Sequence, residues 1–146
     1  MNIIAADDER IALQLLISSI HEAVPEARVY GFSSGEEVLA FGRENPCEVA
    51  FLDIDMSHMD GITLAKHLKK ETPNINIIFV TAYNQYAIEA FALHSSGYVM
   101  KPATKEKIEH ELEHLRHPVN MRAKHKLWIQ CFGDFEAFAD GAPIKF

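Results

Sequence analysis

The segment Val49-Ala50-Phe51-Leu52-Asp53-Ile54-Asp55-Met56 begins with four apolar residues and passes directly into acidic ones. Continuous apolar residues, without alternation, are typical of a strand whose sheet is covered on both faces. The segment therefore predicts a buried strand that carries the carboxylate of Asp53 at its carboxyl end.

Four other stretches also predict strands. Three are apolar runs of the same character: Ile3-Ile4-Ala5-Ala6, Ile75 to Val80 with Asn76 inside it, and Tyr98-Val99-Met100. The fourth, Arg28-Val29-Tyr30-Gly31-Phe32, alternates and contains a glycine, which indicates an edge strand.

The stretches between these strands have the spacing of helices. Ser34-Gly35-Glu36-Glu37 predicts a helix start, with Ser33 or Ser34 as the N-cap and an acidic first turn. His117-Pro118-Val119-Asn120 is expected to stop the last helix. Apolar residues recur at helical intervals in three further stretches: Ile11, Leu15 and Ile20 with Leu16 beside them; Ile62, Ala65 and Leu68; Ile88, Phe91 and Ala92.

The resulting order is strand then helix, repeated five times over residues 2 to 116. Repeated units of this kind predict an α/β fold in which helices cover both faces of a parallel sheet, because each crossover must be right-handed. We expect a doubly wound, flavodoxin-like (βα)5 sheet with strand order 2-1-3-4-5 and a ligand site beyond the carboxyl ends of its strands.

Composition limits the class of protein. The 146 residues are 48% hydrophobic and 24% charged, which is ordinary for a globular domain and excludes a disordered, collagenous or disulfide-scaffold protein. No apolar run reaches the roughly 18 residues that a membrane span needs, and no secretory signal is recognisable. Cys47 and Cys131 have no metal-binding spacing and suit a reducing cytosol, so we expect a cytoplasmic location and no membrane partner.

The charge is unevenly distributed. Residues 1–115 hold 9 basic and 18 acidic side chains, whereas residues 116–146 hold 5 basic and 3 acidic ones. A negative body repels phosphate backbones, so we do not expect the first 115 residues to bind nucleic acid by themselves.

Polar side chains follow four of the predicted strands. They are Asp7-Asp8-Glu9, Asp53, Thr81 and Lys101-Pro102. The carboxyl ends of parallel strands meet at one edge of the sheet, so these groups should converge on one crevice. Close carboxylates repel one another unless a proton or a cation relieves them, and carboxylate oxygens, waters and a backbone carbonyl are the ligands of Mg²⁺. Asp53 could then attack phosphorus as a carboxylate nucleophile and form an acyl phosphate.

Five motifs in this order resemble the receiver domain of two-component response regulators, over residues 1 to about 118. They are Ile3-Ile4-Ala5-Ala6-Asp7-Asp8-Glu9, Phe51-Leu52-Asp53-Ile54-Asp55-Met56, Met59-Asp60-Gly61, Val80-Thr81-Ala82 and Tyr98-Val99-Met100-Lys101-Pro102.

The resemblance implies a role for each site residue. Asp53 would accept the phosphoryl group from a sensor histidine kinase, Lys101 would pair with the phosphoryl oxygens, and Thr81 would hydrogen-bond them. Mg²⁺ would be held by Asp8, Asp53 and the backbone carbonyl of Asp55, with Asp7 assisting.

The resemblance also implies a switch. When Thr81 moves toward the phosphate, the ring of Tyr98 would turn inward and remodel the face formed by the fourth helix, the fifth strand and the fifth helix. That face could mediate a homodimer; Tyr83, Tyr86, Ile88 and Phe91 would suit it, although Ile88 and Phe91 could equally belong to the core. One departure from the family is Met56-Ser57, because receivers usually carry proline after this methionine.

Residues 127–146 have a second resemblance. Leu127 to Glu136 and Asp140 to Ile144 resemble the opening strands of the winged-helix DNA-binding domain of SARP-type transcriptional activators. We therefore expect a receiver domain at 1–118, a basic linker at 119–126 and the truncated start of a DNA-binding effector domain at 127–146. DNA would be bound only through the full-length effector.

The leading hypothesis is a phosphorylation-dependent switch that controls transcription and is not an enzyme, beyond its own phosphorylation and dephosphorylation. One alternative is a haloacid-dehalogenase-like phosphatase, because Asp53-Ile54-Asp55, Thr81 and Lys101 superficially follow its order of motifs. Against it, Asp7-Asp8 comes first and no acidic pair suited to that family follows Lys101. A third hypothesis is a receiver that acts through partner binding without phosphate.

Overall fold

The computed structural model describes residues 1–83, 85 and 87–119. The predicted effector segment 127–146, nearly all of the predicted linker and Tyr86 lie outside these residues. Among the helices of the described part of the chain, none combines the length and the apolar character that crossing a bilayer would require.

In the described residues, five strands alternate with five helices. The strands are β1 (Asn2–Ala6), β2 (Arg28–Phe32), β3 (Val49–Leu52), β4 (Asn76–Thr81) and β5 (Gly97–Met100). The helices are α1 (Arg10–Ala23), α2 (Gly35–Glu44), α3 (Gly61–Glu71), α4 (Ala87–Ala92) and α5 (Lys105–Leu112). All the strand pairs are parallel and the order in the sheet is β2-β1-β3-β4-β5, which confirms the predicted topology and places β2 at an edge.

Each central strand contributes to two hydrophobic cores, because its successive side chains point to opposite faces of the sheet. In β1, Ile4 packs toward α2, α3 and α4, whereas Ile3 packs toward α1 and α5. In β3, Leu52 and Phe51 divide in the same way. Burial on both faces explains why these strands are continuously apolar.

Helix α1 is confirmed, but two of its apolar residues do not lie on its buried face. Ile11 and Leu15 are 70% and 62% exposed. The face that packs on the sheet consists of Leu13, Leu16, Ile17 and Ile20. That set has the i, i+3, i+4, i+7 spacing of a helix stripe, and a helix with apolar residues on both sides cannot be oriented from periodicity alone.

Helix α5 ends at Leu112, earlier than the expected stop at His117-Pro118. The chain turns back to the sheet after Glu113, and the backbone of His117 pairs with the side chain of Asn76 at the start of β4. These two hydrogen bonds hold the segment that follows α5 against the start of β4.

Candidate functional site

Asp7 and Asp53 follow the parallel strands β1 and β3 at their carboxyl ends. The backbone N–H of Asp53 donates to the carbonyl of Ala6 at 2.9 Å, and that of Asp7 donates to the carbonyl of Phe32 at 3.1 Å. The sheet pairing thus continues one residue beyond the strands and holds both acidic residues side by side.

Three carboxylates converge at this edge of the sheet. Asp7, Asp8 and Asp53 each offer one oxygen, and these oxygens lie within 4.8 Å of one another. Asp7 and Asp53 are buried, with 2% and 5% of their surface exposed, whereas Asp8 is exposed. The sequence-based expectation that these residues meet is confirmed by their positions.

Lys101 reaches the same place from the end of β5. Its Nζ lies 2.8 Å from Asp7 Oδ2 and 3.6 Å from Asp53 Oδ2. We call Asp7, Asp8, Asp53 and Lys101 the acidic pocket. When all four groups are ionised, one ammonium faces three carboxylates, so negative charge remains in excess.

The excess charge has a direct consequence for Asp53. Burial, together with the neighbouring charges of Asp7 and Asp8, raises the pKa of its carboxyl from 3.8 to about 7, although Lys101 and a hydrogen bond from the Asp55 backbone oppose the rise. Burial alone would lower the pKa of the Lys101 ammonium, but its hydrogen bond to Asp7 and the charges of Asp53 and Asp7 raise it above its ordinary value. Lys101 therefore stays charged and offsets part, but not all, of the negative charge of the three carboxylates.

Gly61 allows α3 to begin directly against Asp53. A Cβ at this position would lie 2.2 Å from the Asp53 carbonyl oxygen and 2.8 Å from Ile54 Cα, far closer than real contacts. The N–H of Gly61 donates to the carbonyl of Ile54 at 2.8 Å, and Asp60 caps the helix by accepting from the N–H of Thr63. The motif Met59-Asp60-Gly61 thus fixes the backbone that carries Asp53.

Thr81 and Tyr98 are connected through the backbone of Tyr83. Thr81 is fully buried at the end of β4, and its Oγ1 accepts a hydrogen bond from the Tyr83 N–H at 3.3 Å. The hydroxyl of Tyr98 donates to the Tyr83 carbonyl, and its ring packs against the core under α4. The backbone of Tyr83 thus contacts both side chains.

Ser57 is a site residue that the sequence did not single out. Its backbone N–H and its Oγ both donate to Asp8 Oδ2, each at 2.9 Å. The only available signal was the departure at Met56-Ser57, since a proline there would have no N–H to donate.

Two predicted features are not decided by these contacts. The carboxylate side chain of Asp55 is exposed, and the proposed use of its backbone carbonyl as a metal ligand stays a prediction. Tyr83 is 51% exposed, but Tyr86 and the side chains of Ile88 and Phe91 lie outside what the structure describes, so the predicted dimer face also stays a prediction.

The donor set of the acidic pocket suits a hard divalent cation. Mg²⁺ prefers oxygen ligands, and it usually binds one or two carboxylates and keeps several waters. The three neighbouring carboxylates of the acidic pocket provide such oxygens. Asp7, Asp8 and Asp53 are the only cluster of three potential metal ligands among residues 1–83, 85 and 87–119.

Comparison with protein families gives a match over residues 3–113 to the model described as the response regulator receiver domain. The transcriptional regulatory protein YpdB of Escherichia coli is 34% identical over 115 residues, which cover 79% of this chain and 47% of that protein. The sensory transduction protein LytT of Oceanobacillus iheyensis is 29% identical over 128 residues, which cover 86% of this chain and 52% of that protein. The chain thus spans about half the length of these curated relatives.

Solved structures show the same fold. The response regulatory domain of protein mrkE from Klebsiella pneumoniae has a TM-score of 0.69 and 32% identity, and the match covers 77% of this chain and 93% of that one. Response regulator protein TrrA from Thermotoga maritima, solved in complex with Mg(2+)-BeF, has a TM-score of 0.68, 24% identity and coverage of 77% and 96%. The acidic pocket lies within residues 3–113, which match the receiver-domain model.

Proposed function

The chain belongs to the response regulator receiver family, and from that premise we propose that Asp53 is the residue that accepts a phosphoryl group from a sensor histidine kinase. The observation that carries the proposal is the position of Asp53. It is buried at the carboxyl end of β3, beside two further carboxylates and one ammonium. The two neighbouring carboxylates outweigh the single ammonium, so Asp53 lies in a locally negative environment.

The proposed step is a phosphoryl transfer. One carboxylate oxygen of Asp53 attacks phosphorus, the bond from phosphorus to the donor breaks, and the product is an acyl phosphate on Asp53. Lys101 already lies 3.6 Å from Asp53 Oδ2, so its ammonium can pair with the phosphoryl oxygens as they arrive. Hydrolysis of this acyl phosphate by water would complete the chain's own dephosphorylation.

Asp8, Asp53 and the backbone carbonyl of Asp55 would hold Mg²⁺, with Asp7 assisting through water. The cation, when bound, screens the carboxylates and neutralises charge on the phosphoryl group. Two observations support this assignment. The three carboxylates converge, and among the described residues Lys101 is the one cationic side chain that forms ion pairs with them.

Phosphorylation would be converted into a change of surface through Thr81 and Tyr98. Thr81 would hydrogen-bond the phosphoryl group, and the shift would pass through Tyr83, whose backbone binds both side chains. The domain would exist in two conformations, which differ in the position of the Tyr98 ring and in the face of α4, β5 and α5. Phosphorylation would shift the equilibrium between them. A homodimer through this face is the proposed consequence.

The proposed output is transcriptional. YpdB is by name a transcriptional regulatory protein, and this chain spans about half of its length. We assign residues 1–118 to the receiver, 119–126 to a basic linker and 127–146 to the start of a SARP-type DNA-binding effector, with DNA bound only through the full-length effector. Such a protein would work in the cytoplasm, where its kinase partner presents the phosphoryl group.

Receiver domains are regulatory, which supports a regulator rather than a general phosphatase. Family membership sets aside the haloacid-dehalogenase-like alternative, whose resemblance rested only on the order of Asp53, Thr81 and Lys101. A receiver that signals without phosphate would take up no phosphoryl group, so labelling by a phosphoryl donor distinguishes it from our proposal.

The test is incubation with radiolabelled acetyl phosphate and Mg²⁺, followed by quantification of the label on the protein. We expect labelling of the wild type and none of Asp53→Ala. Lys101→Met, which keeps the length of the side chain, should label much more slowly. A wild type that takes up no label, or equal labelling of Asp53→Ala, would refute the proposal, and the first result would favour the phosphate-independent receiver.

A further inference from the structure

Ser57 makes an unusual double contact with Asp8. Both of its donors, the backbone N–H and the hydroxyl, reach the same oxygen, Asp8 Oδ2, at 2.9 Å. Asp8 is an exposed carboxylate 49 residues away in sequence. An exposed carboxylate normally rotates freely, so two hydrogen bonds to one oxygen restrict Asp8 to one orientation.

The two contacts leave the oxygens of Asp8 unequal. A carboxylate oxygen has two lone pairs, and Oδ2 uses both for the two donors of Ser57. Oδ1 is the oxygen that remains available to a cation in the acidic pocket. Asp8 can therefore offer one oxygen, but it cannot clasp a cation with both unless the contacts with Ser57 break.

The number of oxygens that one carboxylate offers bears on the choice of cation. Mg²⁺ requires a compact octahedron and binds carboxylates through single oxygens, whereas Ca²⁺ accepts six to eight ligands and commonly takes both oxygens of one carboxylate. We propose that Ser57 is a positioning residue that holds Asp8 as a single-oxygen ligand and thereby favours Mg²⁺ over Ca²⁺ in the acidic pocket. The inference rests on the metal site of the proposed function.

The loop around Ser57 is built to keep this arrangement. The carbonyl of Ser57 accepts from the N–H of Met59 at 2.8 Å, and the N–H of Met56 donates to the carbonyl of Ile54 at 3.1 Å. These bonds do not use the Ser57 side chain, so Ser57→Ala removes one donor to Asp8 and leaves the loop intact. Ser57→Thr keeps both donors, which makes it the conservative rescue.

The experiment is calorimetric titration of the protein with MgCl₂ and, separately, CaCl₂ for the wild type and three variants. We expect Ser57→Ala to weaken Mg²⁺ binding about tenfold, as loss of contacts behind a metal ligand typically does. Ca²⁺ binding should weaken by a smaller factor, so the preference for Mg²⁺ falls. Ser57→Thr should retain the wild-type preference, and Ser18→Ala, a matched change on the exposed side of α1, should change neither affinity.

The ratio of the two affinities separates positioning from a general loss of the site. Equal weakening of both cations by Ser57→Ala would overturn the selectivity role, and unchanged affinities would overturn the positioning role. Stronger Mg²⁺ binding in Ser57→Ala would mean that Ser57 competes with the cation, which also contradicts the inference. A wild type that binds neither cation would instead remove the metal site of the proposed function, and this inference with it.

Discussion

The two ends of the sheet bury polar groups in opposite ways. At the carboxyl end, the acidic pocket holds three carboxylates against one ammonium. At the amino end, Asn76 is 1% exposed and neutral, and its side chain is completely paired. Its Nδ2 donates to the carbonyls of Glu48 and His117, and its Oδ1 accepts from Ser96 Oγ and the His117 N–H. We call Asn76, Ser96 and His117 the Asn76 clamp.

The difference separates groups that serve the fold from groups that serve the function. Every donor and acceptor of the Asn76 side chain has a partner, so the Asn76 clamp stabilises the fold and holds the segment after α5 against β4. The acidic pocket keeps a charge imbalance that burial makes unfavourable, and a fold alone gains nothing from it. Four substitutions or additions put this contrast to the test, in order of decreasing effect.

The largest effect is expected for Asn76→Ala. The substitution leaves the N–H and carbonyl of His117 and the hydroxyl of Ser96 without this partner in a half-buried place. Each unpaired group costs about 1–3 kcal/mol, and we expect a total loss of about 3 kcal/mol in the free energy of unfolding, measured with urea. Asn74→Ala, an exposed change near the start of the same strand, should cost less than about 0.5 kcal/mol.

Equal stability of these two variants would show that the Asn76 clamp is not a structural element. Below its unfolding transition, Asn76→Ala should still take up label from acetyl phosphate, since the clamp lies at the end of the sheet opposite Asp53.

A substitution in the acidic pocket should have the opposite sign. The pKa of Asp53 is raised to about 7, so the folded protein holds a proton that the unfolded chain has already released at about pH 4. The free energy of unfolding therefore falls as the pH rises from about 4 to about 7, and above about pH 7 the ionised Asp53 destabilises the fold. In buffer with EDTA at pH 8, we expect Asp53→Asn to raise the free energy of unfolding by about 2 kcal/mol.

The pH series provides the control for that variant. The gain of Asp53→Asn should shrink as the pH is lowered from 8 to 5, because the wild-type carboxyl becomes protonated. A gain that is independent of pH would assign the effect to something other than the charge of Asp53.

Mg²⁺ should relieve the same repulsion. At ten times its dissociation constant, a cation that binds only the folded protein raises the free energy of unfolding by about 1.4 kcal/mol. We expect this gain in the wild type and in Asn76→Ala, and a smaller one in Asp53→Asn, all measured by urea unfolding at pH 8. An equal gain in Asp53→Asn would place the bound cation outside the acidic pocket.

The smallest effect is expected for Ser96→Ala. Ser96 Oγ donates to Asn76 Oδ1 at 2.8 Å and accepts from the N–H of Arg116 at 3.2 Å, so the variant weakens the clamp without removing it. We expect a loss of about 1 kcal/mol in urea unfolding. The neighbouring Ser95→Ala serves as the control, and a larger loss there than at Ser96 would contradict the assignment.

The sequence predicted the features that depend on the order of the strands and helices and on the polarity of their residues. Buried strands are continuously apolar, and the charged residues that follow them had to meet at one edge once the sheet was parallel, so the positions of Asp7, Asp53 and Lys101 were predictable. The start of α2 was predictable because the N-cap signal is local. The pattern left Ser33 and Ser34 as candidates, and Ser34 is the N-cap.

The remaining features depend on contacts between distant residues. Asn76 interrupted an apolar run, but nothing in the pattern identified His117 as its partner. The expected stop at His117-Pro118 also lies beyond the observed end of α5 at Leu112. Ser57 gave no signal beyond the missing proline, since its partner Asp8 lies at the start of the chain. Ile11 and Leu15 have helical spacing, yet the side of α1 that faces the sheet is decided by packing against α5.

The most direct test of the account is to locate the phosphoryl group itself. Protein treated with acetyl phosphate and Mg²⁺ would be reduced with borohydride, which converts an aspartyl phosphate into a stable homoserine. It would then be digested, and the residue that carried the phosphoryl group identified by tandem mass spectrometry in the wild type and in Asn76→Ala. We predict one phosphoryl group, on Asp53, in both proteins. A phosphoryl group on Asp7, Asp8 or Asp55 instead, or none on the wild type, would contradict the claim that Asp53 is the phosphoryl acceptor of the acidic pocket.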